Sequence, residues 1–369
     1  MKTNLTIKPN VAVSAFYLFF IVHTIQTGAG IMGVPRILYL EAGHDAWISV
    51  LIAGLYLHFI GWIMISILRE YESADILGIQ CDLYGKFIGI SIGVIFLIYQ
   101  FFILLSVIKN YVEVVQVFIF PSMPIWLMSL FLLFLMIYCV LGGFRVVVGT
   151  SFIFFFMTIW LALTIYKPIT YMDWDNFLPL AQSSPLEILK GAQKTAYTVL
   201  GMEIILFVYP YIKNKDKVSL PIHLALGLTT FLILLVTVVS IGYFSPDHLE
   251  QTVWATLALF KIISFPIIER FDFIAVALWM MVVIPNIVLL CWMLLHTLNR
   301  MFNAPKKKSL YVISVLIFLA STLIEYRVDI NTLTDYTSKL GFWLVFVYPL
   351  LVFVSLKIRK LWRKRRGTV

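Results

Sequence analysis

Apolar residues run along this chain in long blocks divided by short polar ones, and ten of the blocks read as crossings of a hydrocarbon core of about 30 Å. Five lie in the first half, at 11–40, 46–68, 87–120, 125–141 and 146–166. A polar connector at 167–184 follows, and five more blocks occupy 186–212, 220–244, 267–302, 310–324 and 340–356. The stretch 246–265 holds a further helical pattern in Leu249, Val253, Leu257 and Phe260. It is too short and interrupted to span, and reads as interfacial. The blocks predict an all-α membrane protein with one membrane domain over 1–369, built from five-helix repeats at 11–166 and 186–356 and ending in a basic tail at 357–369.

The first block is broken by its own residues, Thr27-Gly28-Ala29-Gly30-Ile31-Met32-Gly33-Val34-Pro35. Each glycine lowers helix propensity by about 1 kcal/mol relative to alanine and proline by about 3 kcal/mol, so these nine residues favour an interruption. Backbone freed inside a membrane is tolerated only where protein or a cavity satisfies it. The break is therefore the leading candidate for a binding site. A half-helix beginning near Gly30 would aim free amides and the positive dipole end at an anion. The plainer reading of the same glycines is close helix packing. The sixth block carries a matching interruption, Tyr197-Thr198-Val199-Leu200-Gly201-Met202-Glu203. Five spans per half invert the second copy, and paired breaks at the starts of two inverted halves point to a midplane site in transporters. The expectation is a 5+5 inverted repeat with helices 1 and 6 broken.

Glu203 is the acidic residue placed deepest in the apolar blocks, where an ionisable group costs at least about 2.5 kcal/mol and usually faces a cavity. Two roles fit it. It can cap the first amides of the resumed half-helix, or receive a ligand's cationic group together with carbonyls near Val199. With an anion site at Gly28 to Gly30, the second role suits a zwitterion. Tyr99 and Gln100 on the third span and Asn286 after Pro285 on the eighth are further cavity-lining candidates, because buried polar atoms need partners. Lys109 and Glu113, four apart, are expected to pair with each other. Glu269, Arg270, Asp272 and Arg36 suggest an outer gate, although charges at helix ends also snorkel routinely.

Composition narrows the class. With 61% hydrophobic and 13% charged residues and a mean hydropathy of +0.96, the chain is no ordinary soluble domain, in which about a quarter of residues are charged. Cys139 and Cys291 lie within apolar runs and Cys81 in a short polar loop, so no disulfide is expected. No metal-ligand spacing, nucleophile–base arrangement or phosphate loop occurs, and neither an enzyme nor a cofactor is expected. If the N-terminus is cytoplasmic, 19 of the 28 Lys and Arg residues fall on the inner side. The net charge of +9 is thus a topology signal and not a nucleic-acid footprint, and it predicts both termini in the cytoplasm. The basic tail from Lys357 to Arg366 reads as a stop-transfer anchor that can also meet anionic lipid heads.

Thr27-Gly28-Ala29-Gly30-Ile31 followed by Pro35-Arg36 resembles the broken first helix of the amino acid–polyamine–organocation superfamily. Within it, the chain is similar to the spore germination B-subunit family, the GerAB-like permease subunits of nutrient germinant receptors. That likeness rests on Leu200-Gly201-Met202-Glu203, Ile268-Glu269-Arg270-Phe271, Asp335-Tyr336 leading to Leu340-Gly341, and Tyr99 with Glu113, and covers essentially the whole chain. It implies a LeuT-like fold and a three-subunit receptor in the inner membrane of a dormant spore. This chain would be the permease-like subunit, beside a larger membrane A subunit and a C-subunit lipoprotein. It would hold a small-molecule germinant, amino acids included, at Thr27, Gly28, Ala29, Gly30, Tyr99, Leu200, Gly201, Glu203 and Asn286. The chain departs from its relatives at Ile284-Pro285-Asn286, a point that lines the pocket in that fold. A ligand-binding receptor subunit is the expected function. A proton-coupled amino acid transporter and a ligand-gated water or ion channel are the alternatives.

Overall fold

The computed structural model describes residues 2–264 and 270–365. A single 3-10 turn leads into α1 (Leu18–Gln26), which stops at Thr27, and the chain resumes as α2 (Gly30–Ala42). A tight turn through Gly43, at φ 48°, reverses it into α3 (Ala46–Leu68). α4 (Ile76–Phe118) bends at Gly85, whose φ of 84° and ψ of 166° no helical residue adopts. α5 (Ile125–Leu141) and α6 (Phe144–Thr158) are joined through Gly142 and Gly143. Two short turns, α7 (Leu161–Thr164) and α8 (Tyr166–Ile169), then lead across the connector.

The second half opens with α9 (Pro185–Thr198), started by a capping box in which Ser184 and Glu187 satisfy each other's backbone amides. It breaks after Thr198 and resumes as a 3-10 turn and α10 (Ile205–Val208). α11 (Ser219–Tyr243), α12 (Pro246–Gln251), α13 (Ala255–Leu259), α14 (Phe271–Phe302) and α15 (Lys306–Leu323) follow. α16 (Arg327–Phe342) continues through one π-helical stretch into α17 (Tyr348–Arg365).

Among the described residues, six helical stretches are long and apolar enough to cross a membrane. The ten blocks of the sequence do not all survive as continuous spans, because the breaks cut two of them into the shorter pieces Ala15–Gln26 and Met202–Tyr211, and Ile125–Leu141 is also short. α14 is the central pillar, packed on α4, α5, α6 and α1. α1 and α2 lie against α11, and α9 lies against α2 and α3.

Two local expectations change once the elements meet, and the place of a third stretch is filled in. After α11, Pro246, Asp247, His248, Glu250 and Gln251 stay exposed while the apolar positions turn inward. α12 and α13 fold onto α2, with Leu249, Leu257 and Leu259 fully buried and the Thr256 hydroxyl donating to the Ile31 carbonyl at 2.7 Å. Lys109 does not pair with Glu113: its Nζ donates to the Ser321 carbonyl at 3.0 Å, while Glu113 takes Arg327 from α16. Arg36 donates to the Glu250 carbonyl, and Arg270 forks onto Asp272 at 2.8 and 3.0 Å. The Glu269 of the expected gate lies outside the described residues.

The end of the bundle that holds Lys2 is tied by a buried ionic knot. Asp75 caps α4 by accepting from the Gly78 amide at 2.8 Å, and it also accepts His296 Nε2 at 2.8 Å and Arg300 Nε at 2.7 Å from α14. Arg300 reaches on to the Lys2 carbonyl at 2.8 Å, and the Tyr211 hydroxyl lies 3.3 Å from His296 Nδ1.

Candidate ligand-binding site between two broken helices

A cavity of about 470 Å³ opens where the two breaks face each other, within the range of small-molecule sites. Its buried floor is made by Ile25, Gln26, Leu200, Asn286 and Leu290. Gly28, Ala29, Gly30 and Thr198 form one wall, and Ser106, Asn110 and Thr334 form the other. The rim carries Arg36, Lys194, Arg327 and Asp335.

Both breaks leave backbone groups that need partners. On the first, Asn286 Nδ2 donates to the Ile25 carbonyl at 2.7 Å and the Thr24 carbonyl at 3.3 Å. Trp279 Nε1 donates to the Gly28 carbonyl at 3.4 Å. The amides of Gly28, Ala29, Gly30 and Ile31 meet no protein acceptor among the described residues. Of these, Gly28, Ala29 and Gly30 belong to the cavity lining, so their amides stand at the start of α2 as free donors backed by its dipole. On the second break, Gln26 Nε2 donates to the Val199 carbonyl at 3.2 Å, and the Gly201 amide donates to Glu203 Oε2 at 2.9 Å.

These bonds orient two side chains toward the ligand space. Only an amide NH2 can donate to a carbonyl, so the carbonyl partners fix which way Gln26 and Asn286 point. Their oxygens, Gln26 Oε1 and Asn286 Oδ1, are left buried without a partner, on residues each 2% exposed. An unsatisfied buried polar atom costs about 1–3 kcal/mol, and both residues line the cavity. The floor therefore offers hydrogen-bond acceptors and the wall offers amide donors.

The residues singled out from the sequence divide into two groups. Gly28, Ala29, Gly30, Leu200 and Asn286 line the cavity. Thr27 donates its hydroxyl to the His23 carbonyl at 2.9 Å and faces a separate apolar pocket of about 80 Å³. Tyr99, Gly201 and Glu203 stand outside the lining. Gly201 sits at φ 109°, and a Cβ there would come within 3.0 Å of the Ile25 carbonyl, so the two breaks touch backbone to backbone. The Tyr99 hydroxyl lies toward the Glu203 carboxylate, and both groups are fully buried. Gln100 is buried beside Tyr99 in sequence with neither amide atom partnered.

Gln26 was missed by the sequence reading, which began the motif one residue later. The signal was present, since a glutamine inside an apolar run is costly unless it is bonded. Asn110 and Lys194 stand inside apolar blocks and carried the same signal, whereas Arg327 and Asp335 lie between blocks; only the meeting of α4, α9 and α16 brings the four together.

The geometry assigns a test to Glu203. Its carboxylate caps Gly201 and does not touch the cavity, so Glu203→Gln, which keeps the acceptor, should change ligand affinity less than about threefold at every pH and stability by at most about 1 kcal/mol. A 10- to 150-fold loss, the size of one charge-assisted hydrogen bond of about 1.5–3 kcal/mol, would place the carboxylate on the ligand.

A helical membrane protein with a polar cavity between two interrupted helices is a transporter-type fold. Solved structures agree: MhsT in complex with L-phenylalanine superposes with a TM-score of 0.63 at 15% identity, covering 96% of this chain and 99% of that one. A Na+-coupled sialic acid symporter in a substrate-bound, outward-open state gives 0.63 at 12% identity, covering 94% and 76%. The fold is LeuT-like. Residues 12–330 match the spore germination protein family, Spore_permease, and the chain belongs to that family. Spore germination protein GerQB of Bacillus cereus is 35% identical over 352 residues, covering 94% of this chain and 98% of that protein. Spore germination protein A2 of Bacillus subtilis (strain 168) is 24% identical over 349 residues, covering 92% and 94%.

Proposed function

We propose that this integral membrane protein is the ligand-binding, permease-like subunit of a nutrient germinant receptor, and that it holds an amino acid or a similar small zwitterion between its broken helices. The observation that carries this reading is the pair of buried, unpartnered acceptors, Gln26 Oε1 and Asn286 Oδ1, in the cavity that Gly28, Ala29 and Gly30 also line with free amides. The ligand's ammonium sits on the two amide oxygens and its carboxylate on the start of α2. Both ends replace water with fixed partners, and the cations at the rim draw the anionic end inward.

Bound ligand can shift the protein only by its different affinity for two arrangements. Here the two halves of each broken helix supply them, because Gln26 braces the first break against the second and Asn286 braces the end of α1 against α14. In this reading the chain makes ten crossings as a 5+5 inverted repeat, with both termini in the cytoplasm of the spore's inner membrane. It passes the change to an A subunit and a C-subunit lipoprotein, and no catalysis is involved.

A second reading, a proton-coupled amino acid transporter, is favoured by one observation. The cavity opens at a polar rim while the opposite end is tied by the Asp75 knot, as alternating access requires. Glu203, with Oε1 buried and unpartnered, would carry the proton. Purified protein in proteoliposomes separates the two readings. Saturable binding of radiolabelled amino acids without flux supports the receptor, and concentrative uptake driven by a proton gradient supports the transporter. If none of the twenty amino acids binds, the proposed ligand class is wrong.

A further inference from the structure

A second concave surface lies away from the cavity, where residues 12–14, Tyr17, α6 and Lys213 line a groove of about 560 Å³. Its two charged residues, Arg145 and Lys213, are both cationic and exposed. Among the described residues no acidic one lines the groove, and none gives either cation a carboxylate partner. Arg145 donates one N–H to the Ala12 carbonyl at 3.3 Å, which fixes the guanidinium at the lip.

Below the cations the lining turns apolar, through Val148, Gly149, Phe152 and Ile153. A Cβ added at Gly149 would meet nothing within 4 Å, so the trough continues as open space. Around it Phe16, Ile153 and Phe156 are each more than half exposed, as residues facing lipid are. Paired cations above an apolar trough fit a molecule with an anionic head and a hydrocarbon chain.

The groove also touches both broken helices. Residues 12–17 run directly into α1, and Lys213 follows the end of the second broken unit. Between them, the Val13 amide donates to the Tyr211 carbonyl and the Lys213 amide to the Val13 carbonyl, each at 2.9 Å.

We propose that this groove is a binding site for one anionic phospholipid of the surrounding bilayer. Its phosphate lies between Arg145 and Lys213 and an acyl chain lies over Gly149 and Phe152. A head held there spans the bridge that joins the inner ends of the two broken helices, so the lipid resists their separation. A zwitterionic lipid is disfavoured because its ammonium faces the same cations.

The test is lipid binding to the purified full-length protein by native mass spectrometry, comparing phosphatidylglycerol with phosphatidylcholine. Wild type should retain phosphatidylglycerol preferentially. Arg145→Gln and Lys213→Gln should each lower retention about fivefold and together about 30-fold, at about one basic-residue contribution apiece. Lys307→Gln with Lys308→Gln, at exposed positions outside the groove, should leave it unchanged. Gly149→Phe keeps both cations but fills the trough, and should lose phosphatidylglycerol as the double variant does, which covers the case that the charge variants misfold. Equal retention of both lipids, wild-type binding by the double variant or by Gly149→Phe, or displacement by inorganic phosphate as effective as by lipid would each overturn the site.

Discussion

Asp75→Ala is expected to destabilise the purified protein by about 3–5 kcal/mol, because it leaves the cationic Arg300 and the imidazole of His296 buried with no carboxylate between them. The loss is larger than for a surface pair, since Asp75 is fully buried and Arg300 is only 10% exposed. The same carboxylate caps α4, so about 1 kcal/mol of helix-start stabilisation goes with it. In detergent, the thermal midpoint should fall by about 10 °C. Asp75→Asn keeps one acceptor and should fall between the variant and wild type. A midpoint within about 2 °C of wild type for Asp75→Ala would mean that the knot does not tie its end of the bundle.

Gly28→Leu should reduce ligand binding at least about 100-fold while leaving membrane insertion and amount of protein close to wild type. A Cβ at this position would stand 2.9 Å from Asn286 Nδ2. The side chain would thus push Asn286 off the Ile25 carbonyl and also fill the wall beneath the α2 amides. Two buried hydrogen bonds and the ligand's own contact with Asn286 Oδ1 would be lost together, each worth about 0.5–1.5 kcal/mol, more where the ligand is charged. Insertion is spared because the block remains apolar. Isothermal binding to the purified variant decides the matter. Unchanged affinity in a well-folded Gly28→Leu protein would remove the first break from the site.

Asn286 shows how a single side chain links two scales of description. Its position after Pro285 on the eighth block marked it as polar in an apolar run. Only the fold shows that it serves the end of α1, more than 260 residues away in sequence. Gln26 does the same for the second break.

The sequence by itself determined the membrane class, the all-helical architecture and the two places where helices stop. Each follows from local quantities: hydropathy over a span, and the propensity cost of Gly28, Gly30 and Gly201 paid where they stand. The structure bears out the interruptions at Thr27 and after Thr198 for that reason. Partner choice is not local. Lys109 and Glu113 are one turn apart, yet each is taken by a different partner, because α15 packs on α4 with the Ser321 carbonyl and α16 with Arg327. The amphipathic pattern of Leu249 and Leu257 showed that one side of the stretch 246–265 would be buried, but not that α2 would cover it. The rim of Arg36, Lys194, Arg327 and Asp335 exists only where α2, α9 and α16 converge. What the chain encodes one turn at a time is where it breaks. What fills those breaks is decided by tertiary packing, because every unsatisfied group in a membrane interior must find its partner wherever the fold brings one near.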